Sequence, residues 1–70
     1  MEYTVVIEKS EKNFGAWVPD LPGCVSTGAT IEEVTKNIAE AIEFHLESML
    51  LHGEAIPQPT TSVATVKVAS

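Results

Sequence analysis

The sequence predicts an α+β domain in which a small antiparallel-type sheet carries one helix on a face, in the order β-β-β-α-β. Three observations lead there. Two short runs near the N-terminus alternate apolar and polar residues around a polar break, the period of paired strands. A dense proline and glycine turn follows them. The middle of the chain then repeats apolar residues every three to four positions between a helix start signal and a helix stop signal.

The first strand is read from Tyr3-Thr4-Val5-Val6-Ile7-Glu8-Lys9, with Tyr3, Val5 and Ile7 on one face. Ser10-Glu11-Lys12-Asn13 has hairpin length. Phe14-Gly15-Ala16-Trp17-Val18 is the second strand, with Phe14, Ala16 and Val18 on one side and Trp17 on the other. Pro19-Asp20-Leu21-Pro22-Gly23 is the turn: the prolines fix φ, and Gly23 can take positive φ. Cys24 to Thr27 is a short third strand.

Thr30 followed by Glu33 is a capping box. Ile31, Val34, Ile38, Ala41, Ile42, His45 and Met49 then form one stripe, with Glu32, Lys36, Glu40, Glu43 and Glu47 opposite. Gly53 ends the helix, and Pro57 and Pro59 prevent its continuation. Ser62 to Val68 is β-branched and weakly alternating, a final strand or a partly ordered tail. The division is therefore a domain over residues 1–60 and a final strand or tail over 61–70.

Seventy residues allow one small domain, and 44% hydrophobic content rules out disorder by composition. A chain of this length buries only about 60% of its unfolded surface. Cys24 is the single cysteine and no metal-ligand cluster is visible, so oligomerisation, as a dimer or tetramer, is the expected remedy. Four lysines and no arginine against ten acids, net charge −6, argue against unaided DNA or RNA binding and favour a basic protein partner. No stretch approaches a membrane helix. The N-terminus lacks the basic region of a secretory signal, so a cytoplasmic location is expected.

Candidate chemistry is sparse. Asp20 has no acid or base at a predictable distance, which makes it a turn or contact residue rather than a catalyst. His45 and His52 share a helix face but stand roughly 10 Å apart in rise, too far for one metal ion. His45 lies in the apolar stripe, and a protonated His52 would meet the helix C-terminal dipole. Cys24 has no basic neighbour to lower its pKa. Thr27 to Thr30 opens a helix N-terminus, a generic feature without a phosphate-loop pattern. Phe44 and Leu51 are two turns apart among Glu33, Glu40 and Glu47, outside the core stripe, which marks them as subunit or partner contacts. Trp17, opposite Phe14 and Val18 on its strand, either meets another chain or packs under the final strand.

Taken together, Tyr3 to Ile7, Gly15 to Cys24, Gly28 to Val34, Asn37 to Ile42, His45-Leu46-Glu47 and Gly53 to Pro59 resemble the HicB-like antitoxin family over about residues 3–60. The resemblance implies a partial RNase-H-like fold, self-association, and a role as the inhibitory half of a type II toxin–antitoxin pair. The implied partner is a small basic mRNA-cleaving toxin of HicA type. Trp17, Asp20, Leu21, Phe44 and Leu51 are the candidate contacts. Neither cofactor nor enzymatic activity is expected, since one Asp without an acidic cluster does not supply RNase H chemistry. The segment after Pro59 does not look helical and holds one lysine, so operator binding by a C-terminal helical segment, common in full-length antitoxins, is not expected. Two rivals remain: an orphan oligomeric adaptor that has lost its toxin, and a small enzyme using Asp20, His45 or Cys24.

Overall fold

The computed structural model describes residues 1–69. Its elements are β1 (Val6–Lys9), β2 (Phe14–Trp17), β3 (Val25–Gly28) and α1 (Ile31–Leu51). The three strands form one antiparallel sheet in the order β1-β2-β3. Lys9 pairs with Phe14 across a four-residue loop. That loop is closed by the Ser10 amide on the Asn13 carbonyl (2.8 Å) and by the Ser10 hydroxyl on Asn13 Oδ1 (2.8 Å). β1 starts later than the sequence reading had it. Its partner strand ends at Trp17, where Pro19 opens the turn, so Tyr3 to Val5 run on beyond the ladder.

The helix starts and stops where its caps dictate. Thr30 is extended, and its Oγ1 accepts the Glu33 amide at 3.0 Å. Glu33 reaches back to the Ala29 amide at 2.7 Å, one residue before the usual capping-box donor. At the other end Gly53 takes φ +69°, and the Glu54 and Gly53 amides bond to the Met49 and Leu50 carbonyls at 2.9 and 3.2 Å. That is a Schellman motif, which uses carbonyls the helix leaves unpaired.

α1 lies over β3 and β2. Ala16, Val18, Leu21, Cys24, Val34 and Ile38 form the core between helix and sheet, with Tyr3, Val5, Phe14, Ala41, Ile42 and Leu46 packed around it. Burying each large side chain of this set contributes about 1.5–3 kcal/mol. Ile31, at the head of the predicted stripe, is exposed, and the buried part of the stripe begins at Val34. The α+β layout is as expected, but 62–69 carry no strand pairing: among the described residues they form an extended arm without a ladder partner in the chain.

Candidate functional site

The turn between β2 and β3 is two β-turns in series. The Leu21 amide bonds to the Val18 carbonyl at 3.0 Å, and the Cys24 amide bonds to the Leu21 carbonyl at 3.0 Å. Pro19 and Pro22 stand at the second position of each, and Gly23 at φ +85° takes the third position of a type II turn. The Val18 amide closes the loop on the Cys24 carbonyl at 3.1 Å. This geometry drives Leu21 inward and lifts Asp20 outward.

Leu21, expected as a contact residue, is 0% exposed and presents no side-chain surface to a partner. The double turn makes it the plug of the core, whatever its place in a motif. Asp20 holds the chain's own C-terminal segment. Its Oδ2 accepts the Thr60 and Thr61 amides at 3.2 and 3.1 Å, and its Oδ1 accepts the two threonine hydroxyls at 3.0 and 2.9 Å. The Thr61 amide is foremost in holding the carboxyl below its usual range, against the opposing effect of desolvation. Tyr3 donates to the Pro57 carbonyl, and Thr4 Oγ1 donates to the Thr61 carbonyl at 3.0 Å. Segment 57–61 is thus tied to the start of the chain and to the turn.

The sheet face away from the helix is uncovered. Strand register places Val6, Trp17 and Val25 in one row across it, with Glu8, Gly15 and Thr27 in the next. Trp17 is 37% exposed and Val25 65%. Gly15 leaves open space beside the indole row. Val25 also lines a second depression with Ala41, Phe44, His45 and Ser48, so the apolar surface turns the β3 edge and reaches the helix. Phe44 is 74% exposed there. Val25 is thus shared by the depression that holds Trp17 and the one that holds Phe44, a link that sequence reading missed. Only the β2–β3 register reveals it: Val25 pairs with Trp17 and so faces the same side. Leu51, 85% exposed, lies two turns beyond Phe44 and lines neither depression.

The other titratable candidates do not converge. Cys24 is buried, and burial raises its thiol pKa. His52 Nδ1 sits 2.7 Å from the Ser48 carbonyl, an acceptor, which places the proton on Nδ1. Among the described residues, no three His, Cys, Asp or Glu side chains are grouped to hold a metal ion. No described helix is long and apolar enough to cross a membrane.

Comparison with known proteins bears on this surface. A family model described as "HicB_like antitoxin of bacterial toxin-antitoxin system" matches residues 3–69. A UPF0150 protein of Thermoplasma acidophilum is 43% identical over 94% of this chain and 97% of its own length. One from Synechocystis is 37% identical over 94% of this chain and 85% of its own length. An uncharacterized 14.9 kDa protein of Haemophilus phage HP1 is 45% identical over 83% of this chain, which spans only 44% of the phage protein. A chain of the solved "HicA3 and HicB3 toxin-antitoxin complex" superposes with a TM-score of 0.73 at 32% identity, covering 86% of this chain and 70% of that one.

Proposed function

The chain belongs to the HicB-like antitoxin family of bacterial toxin–antitoxin systems, and on that premise we propose that it binds and masks a small basic mRNA-cleaving toxin of HicA type, catalysing no reaction itself. The observation that carries this reading is the continuous apolar surface from Trp17 through Val25 to Phe44, uncovered on a chain of net charge −6. Exposed aromatics anchor protein interfaces, and an acidic field accelerates encounter with a basic partner. The broad open shape of this surface suits a protein better than a small molecule. Binding occurs in the cytoplasm, where such a toxin meets its mRNA, and needs no contact with nucleic acid by this chain.

The test is co-expression with the small basic protein encoded beside it. Relief of growth arrest and a stable complex at fixed stoichiometry are expected. Trp17→Glu and Phe44→Glu should each weaken that complex at least tenfold. If no neighbouring small basic protein is bound or neutralised, the toxin-masking role is wrong, and an orphan oligomeric adaptor replaces it.

A further inference from the structure

Residues 62–69 read as a strand and have no strand to pair with. Val63, Thr65, Val66 and Val68 are β-branched, which favours a pleated ladder. Yet Val63, Val66 and Val68 are 75%, 80% and 73% exposed. The root of this arm is held firmly, since Thr61 is bound by both Asp20 and Thr4. Beyond it the arm leaves the body. The radius of gyration is 13.9 Å with a longest extent of 49 Å, where a compact chain of this length has a radius of about 11 Å. As a strand, the arm spans roughly 26 Å.

The sheet has two outer edges, and they differ. At β3 the Thr27 carbonyl already accepts Asn37 Nδ2 at 2.9 Å, and the helix backbone sits against Gly28. At β1 the helix gives little cover. Ile7 faces the helix side in register with Ala16, yet it is 37% exposed against 3% for Ala16. A further strand beside β1 would cover Ile7 and satisfy the open edge, the usual basis of strand addition. The arm has the charge for the task as well: it carries Lys67 and no acid, in a chain otherwise rich in acids.

We propose that arm 62–69 of one copy adds as a strand to the β1 edge of a second copy, and that the exchange is reciprocal, giving a two-fold dimer. The proposal is independent of the toxin-masking role, because it is tested on the purified chain alone.

Light scattering at tens of micromolar should give a dimer, or a multiple of dimers. Val66→Pro removes an amide from the middle of the added strand. It should halve the mass while leaving the helical circular dichroism unchanged, since Val66 is 80% exposed and lies outside the helix. Copies carrying Ile7→Cys and differently tagged copies carrying Val66→Cys, mixed and treated with a short bifunctional maleimide, should cross-link tag to tag. Buried Cys24 does not compete for the reagent. A monomeric wild type, a dimer that survives Val66→Pro, or the absence of any cross-link between the two tagged copies would each overturn the exchange.

Discussion

Gly28 lies directly against the backbone of Val34: a Cβ on Gly28 would stand 2.6 Å from the Val34 amide nitrogen and 2.8 Å from its Cα. The obstacle is main chain in the first turns of a helix, which cannot rotate away as a side chain would. Gly28→Ala should therefore push the helix off the sheet and cost about 1–3 kcal/mol. Urea denaturation at fixed protein concentration measures it, and an unchanged midpoint would show that the helix docks less tightly than this.

Thr30 holds the helix start through its Oγ1, 3.0 Å from the Glu33 amide. Thr30→Ala should cost about 1 kcal/mol, whereas Thr30→Ser, which keeps the acceptor, should cost far less. The same denaturation series, run on both variants, separates loss of the cap from loss of the methyl group.

Asp20 links pH to the C-terminal segment. Its pKa is lowered in the folded chain, chiefly by the Thr61 amide. A lowered carboxyl pKa stabilises the fold fully above the ordinary value of about 3.9, and that contribution is lost as pH falls through the folded value. The stability gap between wild type and Asp20→Asn should thus be constant from pH 7 to about pH 5 and shrink below about pH 4. A gap that stays constant to the acid limit would remove the carboxylate from this role.

Cys24 should be a slow thiol. It is 3% exposed and its pKa is raised by burial, so little thiolate is present or reachable. Labelling with a chromogenic disulfide should be slow in buffer and rapid in denaturant, with the native rate following chain opening. Fast labelling of the native protein would place the thiol on an accessible surface.

Leu21 and Phe44 should behave as opposites. Leu21→Ala empties a fully buried site and should cost about 2–5 kcal/mol. Phe44→Ala removes a ring that is 74% exposed, so stability should change by no more than about 0.5 kcal/mol in the isolated domain. Thermal melts of the two variants at equal concentration decide the matter.

How far the fold could be read in advance varies with the range of the interaction. The helix was legible because Thr30, Glu33 and Gly53 act on backbone groups within a turn of themselves. The double turn was legible in kind, since Pro22 and Gly23 meet the conformational demands of a type II turn. Trp17 was placed on the correct face because side chains alternate strictly along a strand. Val25 was missed because its meaning depends on which residue pairs with it.

What the sequence determined by itself is therefore the local alphabet: three short strands, a capped and stopped helix, and the sidedness of each. Tertiary structure alone decided that Leu21 plugs the core while Asp20 beside it grips Thr60 and Thr61 from far along the chain. It also decided that the strand-like arm after Thr61 finds no edge in its own domain. The physical reason is common to all three. Caps, turns and alternation are set by torsions and neighbours a few residues away, whereas burial, clamping and edge pairing depend on where a loop delivers the chain, and that is set by the packing of the whole domain.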